Sequence, residues 1–325
     1  MMNDARDVIV VTGGSGFIGG HVIRALAGME GFGERFRIIG SYHAHGERIG
    51  GDFGDVDGVE CVELPLEDYG ECILRLEEAV GGGRVEAMVH CAAMANLAEV
   101  EREEELARRV NVEGTIWLAE WVKARGGRLV FLSTDQVFNG ERGWYIEEDD
   151  VSPINSYGRM KVEAEAGVRR VMDAGGWISL RVSLVYGTSF EGVRSASEQI
   201  INAFEKGEES LRLFTDEYRT PTFVGDIASV VSRIVDEGRK GREWPGLLHI
   251  AGPERVSRYE MGMMIAEKFG FDRERVVGIL RCELDLGMRR PGDLSLDVSK
   301  ARKVLGYSPR GLDAGLELWG AGVRS

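Results

Sequence analysis

The sequence predicts an α/β fold: a Rossmann-type doubly wound parallel sheet with a smaller C-terminal α/β substrate lobe. Three observations predict it. Short apolar runs rich in β-branched residues alternate with helical patterns over the first 186 residues. The first run ends in a glycine-rich turn that opens a helix. Beyond that point the alternation loosens, with longer helical patterns and only isolated short strands. Strands separated by helices make a parallel sheet covered on both faces.

The strand runs are Val8–Thr12, Arg37–Ser41, Val59–Leu64, Ala87–Cys91, Arg128–Ser133 and Trp177–Val182. Between them Gly19–Leu26, Ala107–Ala124 and Tyr157–Met172 carry apolar residues at helical spacing. Further on, Phe190–Glu209, Val224–Val235, Arg258–Phe269 and Ser299–Leu305 read as helices, and Leu211–Phe214 and Leu247–Ala251 as strands. The expected division is 1–186 plus 222–251 for a nucleotide-binding domain and 187–221 plus 252–325 for the smaller lobe. No internal repeat or low-complexity linker interrupts it.

Thr12-Gly13-Gly14-Ser15-Gly16-Phe17-Ile18-Gly19 joins the first strand to the first helix. Bare backbone at Gly13 and Gly16 lets N–H groups approach a pyrophosphate, and the helix start offers its positive end to the same anion. Gly19 lets helix and strand pack closely. One glycine motif in a chain with 45 glycines says little; its place after a strand and before a helix gives it weight. The end of the second strand should meet the ribose of a dinucleotide. It reads Ser41-Tyr42-His43, with Arg48 beyond and no acid before Glu47. An acid there would bond a free 2′-hydroxyl, whereas Ser41, His43 and Arg48 suit a 2′-phosphate. NADP(H) is therefore the expected cofactor, with NAD(H) as a possible substitute.

The formal net charge of −14 argues against a phosphate backbone as partner, since that needs clustered Lys and Arg. It also speaks against an anionic membrane surface. No apolar run reaches the ~20 residues of a membrane helix. The four cysteines form no CxxC pair and suit neither zinc nor a disulfide framework. MMNDARD leads directly into the first strand, so no signal peptide is expected and the expected compartment is the cytoplasm. The acidic run Glu99–Arg109 reads as a solvated helix face rather than a metal site, and Trp117 and Trp121 as a core or subunit-contact stripe.

Tyr157 and Lys161, at i and i+4, share one face of a helix. An ammonium beside a phenol favours phenolate and lowers its pKa toward working pH. The pair follows Thr134, at the end of the fifth strand, by 23 residues, which puts the hydroxyl and the phenol near the same strand ends.

With these pieces assembled, the chain resembles an extended short-chain dehydrogenase/reductase, and within it the dTDP-4-dehydrorhamnose reductase family. The matching stretches are TGGSGFIG, HCAA, Asn111-Val112-x-Gly114-Thr115, STDQVFNG, PxxxYGxxK, LRVSLVYG, RTPTFVGDIA and RRPGDLSLD, in the family's order. The resemblance implies a catalytic trio. Thr134 would hold a substrate carbonyl, Tyr157 would give it a proton, and Lys161 would bond the nicotinamide ribose. It adds Leu66, Cys91, Ala92, Ala93 and Asn111 to the cofactor side and places Tyr186 near the nicotinamide. Met94, Asp135, Gln136, Arg181, Arg219 and Arg290 fall on the substrate side, the last two as phosphate contacts. A homodimer through the 111–124 and 157–172 helices is the usual arrangement in such proteins.

The implied function is NADPH-dependent reduction of a nucleotide-linked 4-keto-deoxysugar. Two other readings stand beside it. The regulatory β subunit of methionine adenosyltransferase is similar to this family and also reads HCAA. NAD-dependent nucleotide-sugar epimerases share the superfamily. The chain departs from the reductases at Gln136, where they usually carry tyrosine, at Met94-Ala95 for Tyr-Thr, and at Pro65 for an acid. Related dehydratases carry Thr-Asp-Glu. The carboxamide of Gln136 cannot move the proton that glutamate moves there, so STDQVFNG argues against dehydration.

Overall fold

The structure is a computed structural model that describes residues 6–43, 59–189, 195–284, 287 and 289–323. Arg48 lies outside them, as does the first part of the Phe190–Glu209 pattern.

Six strands form in the expected order: β1 (Asp7–Thr12), β2 (Phe36–Tyr42), β3 (Val59–Glu63), β4 (Val85–His90), β5 (Arg128–Thr134) and β6 (Trp177–Val182). With β11 (Gly246–Ile250) they make a seven-stranded sheet in the order β11-β6-β5-β4-β1-β2-β3. β1 pairs in parallel with β2 and β4, β2 with β3, and β4 with β5. The order reverses beside β1, and in such sheets ligands meet the carboxyl ends of the strands at that reversal. β1, β2 and β4 are buried almost end to end, which explains why they read as continuous apolar runs rather than alternating ones.

The covering helices are α1 (Phe17–Ala27), α2 (Tyr69–Val80), α3 (Thr115–Ala124) and α4 (Ser156–Val171). The expected helix over 107–124 is interrupted: Arg109–Gly114 is a π-turn, preceded by Glu104–Arg108 and followed by α3. Trp121 is buried and donates from Nε1 to Glu77 Oε1 at 2.6 Å, while Trp117 meets the Tyr69 ring at 5.0 Å. Of the aromatic stripe, Trp121 belongs to the core.

By its contacts the chain divides into two compact units. The first comprises 1–133, 159–180 and 227–247; the second comprises 134–158, 181–226 and 248–325. The first unit's core runs from Val10, Ile39 and Met88 on the sheet to Leu76, Leu118, Ala164 and Val168 on the helices.

The second unit contains α5 (Ala196–Glu205), α7 (Arg258–Phe269), α8 (Ser299–Leu305), α9 (Leu312–Val323) and short strand pairs. α6 (Val224–Arg239) runs from this unit into the first. β7 (Val185–Tyr186) pairs with β10 (Thr222–Phe223), β9 (Tyr218–Arg219) with β12 (Val256–Ser257), and β8 (Leu211–Phe214) with β13 (Val276–Ile279). Within the described part of the 190–209 pattern the helix covers Ala196–Glu205. α5 starts at Ala196, where Ser195 and Glu198 form a capping box that satisfies the first free N–H groups. α9 is not in the sequence reading, because Gly315 and Gly320 weaken its helical pattern. Leu312, Leu316 and Trp319 nevertheless bury one face of it against Tyr186, Ile265 and their neighbours. Tyr186 is therefore a core residue, fully buried, with its hydroxyl so close to Gly315 that a Cβ there would lie 1.9 Å away. That burial takes it away from the nicotinamide role.

No helix among the described residues is long and apolar enough to cross a membrane.

Candidate active site

In the first unit, the loop after β1 is built from backbone. Gly13 has φ +66°, and a Cβ on it would lie 2.9 Å from Ala92 N and Cα. A Cβ on Gly19 would lie 2.1 Å from the Gly13 carbonyl. Gly16 is the N-cap of α1 and has no side chain to cap it, and no acid stands in the first turn. The helix start, with no side-chain cap from Gly16, keeps its positive end, flanked by Ser15, Phe17 and Ile18 on a half-buried surface. These residues fit a dinucleotide's pyrophosphate.

Ser41 is placed differently from the expectation. It is buried, and its Oγ accepts from Gly13 N at 3.1 Å, so it braces the glycine loop. His43 is exposed, with Glu67 Oε1 4.0 Å from its Nδ1. Glu67 is an acid near the end of β2 that the sequence hides, because it comes from the segment after β3. Leu66 is buried, and its carbonyl would lie 2.8 Å from a Cβ on Gly114.

A directed chain of hydrogen bonds ties β1, β4 and the π-turn together. Ala92 N–H donates to Thr12 Oγ1 at 3.3 Å, and Thr12 lies 2.6 Å from His90 Nδ1. His90 Nε2 lies 2.9 Å from Thr115 Oγ1, which donates to the Asn111 carbonyl at 2.8 Å. Since the Thr115 proton goes to Asn111, its oxygen must accept from Nε2–H. His90 Nδ1 is then the acceptor for the Thr12 hydroxyl. Burial, reinforced by the Lys161 charge, lowers His90 to about 3, so it stays neutral. Asn111 closes the frame: its Oδ1 accepts from Met94 N and its Nδ2 donates to Met94 O, both at 2.9 Å. Asn111 thus holds the loop carrying Cys91, Ala92, Ala93 and Met94. The π-turn around it is the kind of helix irregularity that collects at functional sites.

Lys161 is buried in the same unit. Its Nζ donates to Leu132 O at 2.8 Å and lies 4.5 Å from the Phe131 ring centre. Burial lowers its pKa to about 8, with Glu165 and Cys91 pulling the other way. Glu165, which accepts from Ser133 Oγ at 2.5 Å, escaped the sequence reading although it sits one further turn along the same helix face. Burial pushes the Cys91 thiol up to about 12, so it is not a nucleophile near neutrality.

In the second unit, Thr134 ends β5 and Tyr157 lies in the first turn of α4, one turn before Lys161. Thr134 Oγ1 caps the following 3-10 turn by accepting from Gln136 N at 3.2 Å and lies 3.3 Å from Asp135 Oδ1. Asp135 is buried, 3.7 Å from Arg219 Nε, and accepts from Ser183 Oγ at 3.0 Å. Burial raises its pKa, while Arg219, Ser183 and Thr134 oppose the rise. Tyr157 differs from the sequence expectation. Burial, then the Asp135 charge, raises its pKa, so the phenol is held protonated rather than tuned toward phenolate.

The arginines of this unit gather on Glu217. Arg290 grips it with two bonds, at 2.6 and 2.9 Å, and Arg219 Nη2 lies 3.4 Å away. Burial pushes the Glu217 carboxyl up, but the Arg290 hydrogen bonds and the charges of Arg219, Arg290 and Arg258 outweigh it and hold it below the usual range. Arg258, at the first position of α7, has a buried Nη1 without a hydrogen-bond partner among the described residues. Burial lowers it to about 10, and Arg219 and Arg290 add to that. A cation at a helix N-terminus opposes the dipole, which kept it off any list drawn from sequence. Arg181 is buried with its guanidinium 5.2 Å from the Phe138 ring centre.

A parallel sheet with this reversal, a glycine loop after β1 and a Tyr-x-x-x-Lys helix after β5 define the class: a Rossmann-type short-chain dehydrogenase/reductase. A family model described as RmlD substrate binding domain matches residues 7–319, and the chain belongs to that family. Methionine adenosyltransferase 2 subunit beta of Danio rerio is 30% identical over 242 residues, 73% of each chain. The probable low-salt glycan biosynthesis reductase Agl14 of Haloferax volcanii is 30% identical over 305 residues, 92% of each. Among solved structures, dTDP-4-dehydrorhamnose reductase of Bacillus anthracis in complex with NADP superposes with TM-score 0.78. It is 19% identical, covering 98% of this chain and 99% of that one, and so speaks to the fold.

Proposed function

We propose that the chain is an NADPH-dependent reductase of a nucleotide-linked 4-keto-deoxysugar. The observation that carries this reading is Tyr157: a phenol kept protonated by burial and by Asp135, one helical turn from a buried lysine. A protonated phenol is a donor, and a carbonyl receiving hydride needs one. Bound NADPH supplies the hydride. Thr134 orients the carbonyl oxygen, Tyr157 Oη gives it the proton, and Lys161 holds the cofactor ribose and returns positive charge to the phenolate left behind. Arg219 and Arg290, with Arg258, supply cations for the nucleotide's diphosphate.

Preference for NADP(H) rests on the end of β2, where His43 is exposed and no acid follows in the described strand. Glu67 beside it tempers that preference and leaves NADH usable. The Michaelis constants for NADPH and NADH measure the balance, and a clear NADH preference would refute it.

Purified protein, NADPH and a panel of nucleotide 4-keto-sugars test the activity. Tyr157→Phe should cost at least ~100-fold in kcat, the lower range for general acid catalysis. If no sugar consumes cofactor in a Tyr157-dependent way, the reading fails. The likeness to methionine adenosyltransferase 2 subunit beta favours a second reading, a nucleotide-binding regulatory subunit without turnover. Stoichiometric recovery of an enzyme partner from the native cell supports that one; a self-associated species alone counts against it.

A further inference from the structure

Gln136 stands where the resembling reductases carry tyrosine, and its hydrogen bonds fix which way its carboxamide faces. Asn155 is the residue before α4. Its Oδ1 accepts from the backbone N–H of Gly158 at 2.7 Å, capping the helix that carries Tyr157. A backbone N–H can only donate, so the bonded atom of Asn155 must be oxygen. The assignment of amide oxygen and nitrogen, ordinarily open, is thereby settled. The other half of Asn155 is then NH2, and its Nδ2 donates to Gln136 Oε1 at 2.9 Å. Gln136 has spent its oxygen on Asn155.

The remaining half of Gln136 is its NH2. Among the described residues Nε2 has no hydrogen-bond partner, and Gln136 is half-buried rather than sealed in the core. The backbone around it is pinned: Gln136 N donates to Thr134 Oγ1, and a Cβ on Gly158 would lie 2.2 Å from Gln136 O. The amide sits one residue from Asp135 and two from Thr134.

We propose that Gln136 is a specificity-determining residue that offers its ligand only hydrogen-bond donors, with Asn155 as the positioning residue that sets this polarity. The substrate group it meets is an accepting oxygen, carbonyl, hydroxyl or oxyanion, and an ammonium at that position is rejected. Tyrosine at the same place could serve either as donor or as acceptor; the Gln136–Asn155 pair narrows the choice. The inference rests on the nucleotide-sugar reading for the identity of the ligand, but not for the orientation of the amide.

Two substitutions reverse the polarity while keeping the helix cap. Gln136→Glu still accepts from Asn155 but faces the ligand with oxygen. Asn155→Asp still caps Gly158, and its second oxygen draws in the Gln136 NH2, flipping the amide so that Oε1 faces the ligand. Each should raise the KM for the best nucleotide 4-keto-sugar of the panel about 10- to 100-fold, the range for a mismatched polar contact. KM for NADPH should stay within about twofold and the melting temperature within about 2 °C, since cap and bridge survive. If both variants match the wild type toward the sugar, the donor role is refuted and Gln136 is only part of the cap. An effect of Gln136→Glu without one of Asn155→Asp refutes the positioning role.

The amide orientation has its own readout, independent of turnover. In protein labelled with 15N at glutamine and asparagine side chains, the wild type should show one protected proton on the Asn155 amide and rapidly exchanging protons on Gln136. Asn155→Asp should move protection to a Gln136 proton. Protected Gln136 protons in the wild type overturn the proposal. A wild type that reduces no sugar yet shows the expected amide pattern refutes the functional reading and upholds the orientation.

Discussion

Lowering the pH from 7.5 to 5.5 should destabilise the protein through His90. In the fold its two ring nitrogens are both committed, and burial with the Lys161 charge holds its pKa at about 3. In the unfolded chain it titrates near ~6.5. Its folded pKa is depressed, so the unfolded state binds the proton first, and stability falls as pH drops below the unfolded value. At pH ~5.5 the proton binds about ten to one in favour of the unfolded chain, which is ~1.4 kcal/mol lost from this residue. His249 is also lowered to about 3, by burial and the Arg181 charge, and adds a loss of the same size, ~1.4 kcal/mol. Urea midpoints at the two pH values measure the sum. His90→Gln, compared with the wild type, isolates the first half because other groups cancel in the difference. The ring signal of His90 followed by NMR gives the direct check. A midpoint near ~6.5 in the folded protein would refute the hydrogen-bond chain and the neutral tautomer it requires.

Gly13→Ala would force a side chain onto φ +66° and against Ala92 N, so NADPH affinity, measured by calorimetry, should fall at least ~10-fold, with ~1–2 kcal/mol of stability lost. Asn111→Leu removes both bonds to Met94 and leaves that backbone unsatisfied; denaturation should report a loss of about 2–4 kcal/mol. Lys161 is held at about 8, so it is charged below that pH and neutral above it. Cofactor binding that uses its charge should weaken as pH rises through 8, and Lys161→Arg should remove that limb from a pH titration.

The strands of the nucleotide half were legible because fully buried parallel strands write themselves as short apolar runs with little else in them. The placement of Thr134 at a strand end and of Tyr157 and Lys161 on one helix was legible because strand end and helix spacing are local facts. What stayed hidden depends on residues far apart in sequence. Ser41 read as a phosphate contact and serves the Gly13 amide instead, a bond across 28 residues. Glu67 reaches His43 from a different strand's loop. The pKa of Tyr157 was read from its helix neighbour alone, whereas burial and Asp135 decide it. Glu217 had no signal in the sequence, because the arginines assembled around its buried carboxylate, Arg219, Arg258 and Arg290, are mostly distant from it along the chain. α9 was lost because burial of one face overcame the glycine cost that local propensity assigns.

The π-turn at Arg109–Gly114 acts as a phase shifter. A π-turn takes in one more residue than the α-helical turn it replaces, which is a rotation of ~100°. The face that carries Asn111 and the face that carries Trp121 are therefore set independently, although they belong to one run of chain. Removing a single residue between Ala107 and Thr115 would let the run relax into an unbroken α-helix. Either Asn111 would swing away from Met94 or Trp121 would leave the core. A one-residue deletion here should be far less tolerated than a single substitution at exposed Arg108 or Arg109 of the same run.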